Sequence, residues 1–274
     1  MLTALAEKAQ RLRELHRPGN PLVLFNVWDA VSARIIEGLG YPALATGSAA
    51  VAWTQGFADG EHISRDGMLA AISRIARCVD VPLTADLEAA YGRTVQDAAA
   101  TARGAIEAGA VGLNFEDAGE PGALLDLDLQ CERIEAMADT GKRLGVPLVI
   151  NARTDVFLHG AGDDAWRVQE AIRRGNAFLQ AGADCVFVLG VSDEERIAHL
   201  AREIRGPINV FATAKTPPVR RLAELGVARV SVGPSGLAFA LAHVRRAAQR
   251  LRDEGTFDFI ADRISGDELN ALFM

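Results

Sequence analysis

The sequence predicts an α/β fold, a (β/α)8 barrel of the TIM type, and three observations support this. Eight short apolar segments alternate with amphipathic, helix-like segments along the chain. Several of the helical segments end in a glycine that leads directly into the next apolar segment. No break in composition divides the 274 residues, and barrels of this type commonly form one domain of this size. An open, doubly wound sheet shares the alternation, but no GxGxxG motif follows the first apolar segment.

The predicted strands are short and apolar, and each is followed by a predicted helix. The strands lie at residues 22–27, 42–46, 83–86, 111–115, 148–151, 185–189, 208–211 and 228–232. The helices lie at residues 30–39, 65–78, 95–108, 127–144, 164–180, 193–204, 217–225 and 235–251. We expect Ser64 to cap the second of these helices, and a left-handed glycine to close four of them, at Gly109, Gly145, Gly182 and Gly226.

Three further segments are predicted besides these strands and helices. A further helix at residues 2–16 precedes the first strand, and residues 46–50 are predicted to be a loop of small residues. The barrel domain covers residues 1–251 and a C-terminal helical extension covers 252–274. Because this extension carries seven large apolar side chains, it is expected to dock, either on its own barrel or on a partner subunit.

Composition excludes several classes of protein. The net charge of −7 offers no basic face for nucleic acid, and no window approaches 18 unbroken apolar residues, so no membrane-spanning helix is predicted. Three widely spaced cysteines indicate neither a disulfide framework nor a zinc site. The N-terminal stretch is charged and amphipathic, unlike a secretion signal, and a cytoplasmic protein is expected.

Carboxylates stand at the ends of two consecutive predicted strands. Asp86 and Glu88 lie two positions apart where the third strand ends, and such residues face the same side of an extended strand. Glu116 follows the fourth strand. The carboxyl ends of barrel strands meet at one face, which is where barrel enzymes hold their sites. Oxygen ligands from these three acids would suit Mg²⁺ or Mn²⁺, so the sequence predicts a metal site here.

Acids gathered in one place repel each other unless a positive charge is close to them. A bound cation is one possibility, and Arg153, after the fifth strand, is the other. In the second case the acids would only pair with arginine and cap the following helices. A guanidinium in this position also suits a substrate carboxylate or a developing enolate oxygen.

Further polar residues follow other strands. The Thr46-Gly47-Ser48 loop offers backbone N–H groups to a ligand because Gly47 has no side chain in the way, and Asn209 ends the seventh strand. Lys215 also follows a strand, as a Schiff-base lysine would, although a solvated loop lysine has the same sequence context. His159 is the histidine nearest to a strand end and is predicted to be a solvated loop residue.

Five motifs in this order resemble the isocitrate lyase and phosphoenolpyruvate mutase superfamily. They are Phe25 to Ala33, Thr46-Gly47-Ser48, Asp86-Leu87-Glu88 with Tyr91-Gly92, Asn114-Phe115-Glu116-Asp117, and Ala152-Arg153-Thr154-Asp155. The resemblance implies a (β/α)8 barrel whose last helix is exchanged between the subunits of a homodimer or homotetramer. It also implies enzymes that cleave or form C–C or P–C bonds next to a 2-oxo acid, through an enolate-like intermediate.

The resemblance also implies roles for particular residues. Mg²⁺ would be bound, directly or through water, by Asp86, Glu88 and Glu116, with Asp59 contributing nearby. The substrate carboxylate would lie on the amides of Gly47 and Ser48, and Arg153 matches the family's arginine. Thr46 and Asn209 are further substrate-binding candidates because of their positions at strand ends. Arg153 and Asp59 are the catalytic candidates.

The sequence departs from the superfamily in the loop after the fourth strand. The lyase branch carries Lys-Lys-Cys-Gly-His there, and the mutase and hydrolase branch carries lysine and asparagine, whereas residues 118–125 read Ala-Gly-Glu-Pro-Gly-Ala-Leu-Leu. Decarboxylation of an oxaloacetate-like acid needs an electron sink but no base to start it. A Mg²⁺-dependent enzyme acting on a small 2-oxo carboxylate, by decarboxylation or C–C cleavage, is therefore expected. The alternatives are a 2-oxo acid binding protein without turnover, P–C bond chemistry, and a Schiff-base aldolase that uses Lys215.

Overall fold

Parallel strands form one sheet that curls into a barrel. The computed structural model describes residues 2–119 and 122–274, and within these ranges the sheet has nine strands, all paired in parallel. They are β1 (Leu22–Leu24), β2 (Asn26–Val27), β3 (Leu44–Thr46), β4 (Leu83–Asp86), β5 (Gly112–Glu116), β6 (Val149–Thr154), β7 (Cys185–Val188), β8 (Ile208–Phe211) and β9 (Arg229–Ser231). Because Phe25 alone separates β1 from β2, these are two parts of one first strand, and they pair with β9 and β3 respectively. The predicted eight-unit barrel is confirmed.

Helices surround the sheet and follow the strands in turn. Twelve α-helices lie in the described part of the chain: α1 (Leu2–Glu14), α2 (Ala30–Gly38), α3 (Ser48–Thr54), α4 (Arg65–Ala76), α5 (Val95–Glu107), α6 (Leu127–Arg143), α7 (Val156–His159), α8 (Asp164–Gln180), α9 (Glu194–Glu203), α10 (Val219–Glu224), α11 (Ser235–Glu254) and α12 (Gly266–Ala271). A 3₁₀ helix at Asp258–Asp262 lies between the last two. None of these helices is both long and apolar enough to cross a membrane.

The helix ends agree with the sequence. The Ser64 side chain accepts a hydrogen bond from the Gly67 N–H and caps α4. The four predicted C-terminal glycines all have positive φ: Gly109, Gly145, Gly182 and Gly226. This left-handed conformation is accessible to glycine without a steric penalty, and at the end of each of these helices it turns the backbone toward the next strand.

The predicted loop at residues 46–50 is wrong in part, because α3 begins at Ser48. Its sequence is rich in alanine, the residue with the strongest helix preference, and Ser48 to Ala52 are buried against the barrel. The short helix α7 was also not predicted. Helices of four to seven residues give too few turns for a periodic apolar pattern to be recognised.

Helix α1 closes the amino-terminal end of the barrel. Leu12 is fully buried there, and a Cβ on Gly112 would lie 2.7 Å from its Cδ2 atom and 2.9 Å from the Val149 carbonyl oxygen, so the neighbouring strand leaves no room for a side chain at this position. The Arg13 guanidinium binds Asp184 at 2.6 Å and the carbonyl oxygens of residues 147 and 148. His16 is buried beside them, and its Nδ1 is 2.8 Å from the Leu12 carbonyl oxygen.

The C-terminal part of the chain exposes much of its apolar surface. Of the 20 residues of α11, Gly236 and Leu237 are the buried ones, and the exposed large apolar side chains of this helix are Phe239, Leu241, Val244 and Leu251. The last residues contact the barrel through the Arg34 Nε atom, which donates to the Leu272 carbonyl at 2.7 Å. Helix α11 continues past residue 251, and the division into residues 1–251 and 252–274 stays a prediction.

We predict that His16 makes the folded protein less stable in mild acid. Burial first, and then the Arg229 charge, lower the pKa of His16 from 6.5 to about 3. Below pH 6.5 the unfolded chain therefore binds a proton that the folded chain excludes, and stability falls as the pH is lowered toward 3. Relative to His16→Gln, the wild type should lose about 1–2 kcal/mol more between pH 6.5 and pH 5. Urea unfolding at both pH values measures this, and equal losses in the two proteins would contradict it.

Candidate functional site

A cavity of about 490 Å³ opens at the carboxyl ends of the strands. This volume suits a small metabolite. Its polar lining includes Asp59, Asp86 and Arg153 from the predicted site. The large apolar side chains of the lining, here called the apolar wall, are Leu158, Phe187, Leu189, Val191, Phe211 and Pro234. The structure thus brings four of the predicted site residues, Ser48, Asp59, Asp86 and Arg153, to one space at the end of the barrel where barrel enzymes have their sites.

Asp86 is the last residue of β4 and is held on both of its oxygen atoms. Oδ2 accepts hydrogen bonds from the Ser48 N–H at 3.0 Å and from the Ser48 hydroxyl at 2.8 Å. Oδ1 accepts from the Asn114 amide at 3.4 Å, and the Asp86 N–H donates to the Thr46 hydroxyl at 2.9 Å. Because each carboxylate oxygen can accept more than one bond, Asp86 keeps capacity to bind a cation from the cavity.

Glu88 is not placed as strand alternation predicts. Strand β4 ends at Asp86, and Glu88 has a φ of +50°, so the two acids do not face one side of a continuous strand. Glu88 is buried, and its Oε2 atom accepts from the Glu61 N–H at 2.6 Å. Burial raises the pKa of Glu88 to about 7, and the negative charges of Asp86 and Asp59 add to the rise.

The turn that carries Glu88 is strained. Glu88, Ala90 and Tyr91 all have φ between +50° and +71°, a region that side chains other than glycine rarely adopt. Such a conformation costs about 1–3 kcal/mol at each residue and persists where surrounding contacts fix it. The Tyr91 N–H donates to Glu61 at 2.6 Å, which fixes one part of the turn.

A buried arginine of α6 fixes the rest of that turn. Arg133 has no exposed surface, and its Nη2 atom donates to the carbonyls of Ala89 at 2.6 Å and Gly92 at 2.7 Å. Its Nη1 atom donates to Gln130 at 3.0 Å, and Gln130 donates in turn to the Glu116 carbonyl at 3.2 Å. Arg133 thereby links the turn after β4 to the end of β5.

Arg153 and Glu116 form the ion pair that the sequence allowed as an alternative to metal binding. The Nη1 atom of Arg153 is 2.7 Å from Glu116 Oε2, and Nε and Nη2 donate to Asp155 at 2.6 and 2.8 Å. Although burial acts to lower it, these carboxylates raise the pKa of Arg153 above its ordinary value. Asp117 points elsewhere, and binds Thr154 and Arg174. Arg153 therefore balances Glu116 and Asp155, whereas no cationic side chain of the described residues forms an ion pair with Asp59, Asp86 or Glu88.

The oxygen donors of the cavity fit a hard divalent cation that is held by few direct protein ligands. In the described residues, no three His, Cys, Asp or Glu side chains lie close enough together to enclose an ion. Glu88 and Glu116 are outside the lining of the cavity, whereas Asp86 and Asp59 are part of it. Partial burial, followed by the charge of Asp86, raises the pKa of Asp59. Since Mg²⁺ usually keeps several waters, binding through one or two direct carboxylates matches this arrangement.

The predicted substrate-binding residues have different positions. Ser48 and Arg153 line the cavity, but Thr46, Gly47 and Asn209 do not. The Gly47 N–H donates to the Val27 carbonyl at 3.3 Å and the Ser48 N–H to Asp86, so both amides are engaged within the protein. Asn209 is buried and donates to Ser231 at 3.3 Å. Their predicted role in binding a carboxylate stays a prediction.

Two loops at this end of the barrel carry few reactive groups. Lys215 is exposed in the loop after β8 and is not part of the cavity wall, whereas a Schiff-base lysine requires burial. In the loop between β5 and α6, Ala118 pairs with Leu124, and the Gly119 N–H donates to the Ala123 carbonyl at 3.0 Å. Of the predicted loop residues 118–125, Glu120 and Pro121 lie outside the described residues.

Sequence reasoning missed the buried arginines and the apolar wall. Arg229 begins β9 and is fully buried, and the signal for it was a single charged residue inside the apolar run Val227-Ala228-Arg229-Val230. For Arg133 there was no signal, because arginines on amphipathic helices are usually exposed. Phe187 and Phe211 were assigned to strands, and their contribution to the cavity depends on the closed barrel.

A closed parallel barrel with carboxylates and an arginine around a cavity at its carboxyl end is the architecture of a barrel enzyme. The sequence profile of the phosphoenolpyruvate phosphomutase family matches residues 12–252. The chain therefore belongs to the phosphoenolpyruvate mutase and isocitrate lyase superfamily, as its motifs predicted. It is an enzyme of the carbon–carbon lyase type.

Individual relatives agree with this assignment. An uncharacterized Mycobacterium tuberculosis protein is 32% identical over 238 residues, which cover 85% of this chain and 87% of the relative. The structure of a candidate lyase or mutase from Burkholderia cenocepacia is 36% identical, with a TM-score of 0.90, over 99% of this chain and 97% of that one. Oxaloacetate decarboxylase from Pseudomonas fluorescens is 28% identical over 89% of this chain and 83% of its own. Other members are 2-methylisocitrate lyase and phosphoenolpyruvate phosphomutase, so the superfamily includes several reactions.

We predict that Arg133→Leu destabilises the protein through the turn after β4. The carbonyls of Ala89 and Gly92 would lose their buried donor, and each unsatisfied group costs about 1–3 kcal/mol. The free energy of unfolding should fall by about 2–5 kcal/mol. Arg103→Leu, at an exposed position on α5, is the matched control and should change it by less than about 0.5 kcal/mol. Urea unfolding of the two variants measures the difference, and equal effects would refute the role of Arg133 in fixing the turn.

Proposed function

We propose that this protein is a Mg²⁺-dependent enzyme that acts on a small, oxaloacetate-like 2-oxo carboxylate, by decarboxylation or C–C bond cleavage. The observation that carries this proposal is the shared cavity of Asp86 and Arg153. The acid suits a hard cation and the guanidinium suits an oxyanion. Asp86 would hold the cation, with Asp59, Glu88 and Glu116 around it. A divalent cation at this point supplies an electron sink for a 2-oxo group.

The charges of the cavity favour a small substrate with few carboxylates. Among the lining residues that the structure describes, Arg153 is the one cationic side chain. It can pair with one carboxylate or with the oxygen on which negative charge develops. The position of its guanidinium is fixed in advance by Glu116 and Asp155, so little ordering is needed when a substrate binds.

The apolar wall favours loss of CO₂ over reactions that need a positioned base. When a 3-carboxy-2-oxo acid loses CO₂, the C3–C4 bond breaks and its electron pair forms the enolate, which later takes a proton at C3. A carboxylate facing Phe187, Leu189 and Phe211 would lose hydration, whereas neutral CO₂ would not be disfavoured there. Asp59, at the rim, is the candidate for supplying the proton. Support from the comparisons is the similarity to an oxaloacetate decarboxylase.

We predict that Asp86 and a divalent cation are both required for turnover. The purified protein with Mg²⁺ should decarboxylate oxaloacetate or cleave a related 2-oxo acid, and excess EDTA should abolish this. Asp86→Ala should lower kcat/KM by about 100-fold or more, because a metal-binding carboxylate is lost. Asp139→Ala, at an exposed position on α6, is the control and should retain full activity.

Several outcomes would refute this proposal. Turnover that persists in EDTA would exclude metal dependence. Tight binding of 2-oxo acids without turnover across a substrate panel would instead favour a binding protein. Lys215 is tested separately, by borohydride reduction with a 2-oxo acid followed by mass spectrometry, and an adduct there would favour the aldolase alternative.

We also infer that the chain assembles as a homodimer or homotetramer through exchange of its C-terminal helix. The exposed apolar side chains of α11 and of the residues after it support this, because monomeric proteins rarely expose large contiguous apolar patches. Phe239 and Val244, 68% and 63% exposed, are the most exposed of the large apolar side chains of α11.

We predict that charges on α11 dissociate the assembly. Light scattering after size exclusion should give the wild type a mass of two or four times 29.2 kDa. The double variant Phe239→Asp and Val244→Asp should give one chain mass, because burying two carboxylates in an apolar interface is unfavourable. Leu39→Asp, which changes an exposed apolar residue after α2, should leave the mass unchanged. A monomeric wild type would refute the inference.

A further inference from the structure

Arg229 is a buried charge without a carboxylate partner. It begins β9 and has no exposed surface. No Asp or Glu in the described ranges lies within ion-pair distance of its guanidinium, although isolated buried charges are strongly unfavourable. Burial lowers the pKa of Arg229 to about 10, so that the group is still charged at neutral pH. A residue this unfavourable for folding calls for another role.

The Arg229 guanidinium contacts Asn114, and Asn114 in turn contacts Asp86. Its Nη2 atom donates to Oδ1 of Asn114 at 3.0 Å, and Asn151 donates to the same oxygen at 2.8 Å. With its oxygen engaged on this side, Asn114 directs its NH₂ group to Asp86 Oδ1, at 3.4 Å. A chain of hydrogen bonds thus runs from Arg229 through Asn114 to Asp86.

The two asparagines alone would not fix the direction of this chain. A pair of side-chain amides can form one hydrogen bond in either sense, because each has a donor and an acceptor end. The Asn151 oxygen has no hydrogen-bond partner in the described part of the chain, so a joint reversal of both amides would break no bond at that end. After such a reversal the Asn114 oxygen would face the Asp86 carboxylate, and two acceptors would oppose each other.

Arg229 excludes the reversed arrangement. A guanidinium has five donors and no acceptor, so the Asn114 oxygen must face it. The other side of Arg229 is fixed as well, since its Nη1 atom lies 3.4 Å from Nε2 of His16. His16 uses its Nδ1 atom on the Leu12 carbonyl, which leaves Nε2 as the acceptor toward Arg229 when the ring is neutral.

We propose that Arg229 is a positioning residue for the metal site: by fixing the Asn114 amide, it ensures that Asp86 meets a donor and keeps its carboxylate oriented for a divalent cation. This role rests on the metal site of the proposed function. Arg229 itself neither lines the cavity nor contacts Asp86. Partners that orient a metal-binding carboxylate typically contribute on the order of 10–100-fold to metal affinity.

The test measures Mn²⁺ binding to the purified protein without substrate, by the electron paramagnetic resonance signal of the free ion. Arg229→Lys keeps a donor-only cation, so its Mn²⁺ dissociation constant should stay within about 3-fold of the wild type. Arg229→Gln and Arg229→Met should bind about 10-fold more weakly, because an amide can accept as well as donate and a thioether does not donate. Cys185→Ala, in the same interior layer but without a bond to Asn114, is the control and should not change the affinity.

Folding of each variant is checked by its thermal midpoint. If Arg229→Met does not fold, the comparison of Arg229→Gln with Arg229→Lys decides the question. Equal or tighter Mn²⁺ binding by a folded Arg229→Gln would overturn the positioning role while leaving the metal site intact. A wild type that binds no Mn²⁺ would refute the metal site of the proposed function, and this role with it.

Discussion

Negative charge is concentrated at the carboxyl end of the barrel, in a space that water reaches only in part, and the surrounding structure depends on how that charge is balanced. Arg153 contacts Glu116 and Asp155 from the side of the cavity. Arg229 acts from the interior, through the amide of Asn114. Asp86 receives two hydrogen bonds from Ser48 but no cation in direct contact among the described residues. The remaining imbalance is what a divalent cation would correct.

The same end of the barrel also stores backbone strain. Three left-handed residues in the turn after β4 are held by Glu61 on one side and Arg133 on the other. Because Arg133 is itself supported by Gln130 and stacks over the Phe115 ring at 4.7 Å, the turn is fixed by contacts from α6 and β5 together. Strain of this kind is typical of functional sites, where the surrounding structure compensates for an unfavourable local conformation.

The barrel fold and part of the candidate site could be predicted from the sequence, because local patterns determine the strands, the helices and the residues that follow them. Asp86 and Arg153 were identified from their positions at strand ends, and the four helix-ending glycines from their spacing. The conformation of Glu88 could not be predicted, since it depends on tertiary contacts. Arg229 and Asn114 are 115 residues apart and meet only because the barrel closes, so no local pattern relates them. Local patterns therefore determine the elements of the barrel, whereas the contacts within the site depend on its closure.

The loop between β5 and α6 can change in sequence without a change in the barrel that holds Asp86 and Arg153. Ala118 and Leu124 pair across its base, so both ends are anchored whatever lies between them. Barrels tolerate changes in such loops because the packed core lies below them. A longer segment grafted between these anchors, carrying an acid or a base, would add catalytic groups without altering the strands that hold Asp86 and Arg153. This fold thus provides a starting point for engineering new lyase or hydrolase activities by exchange of a single short segment.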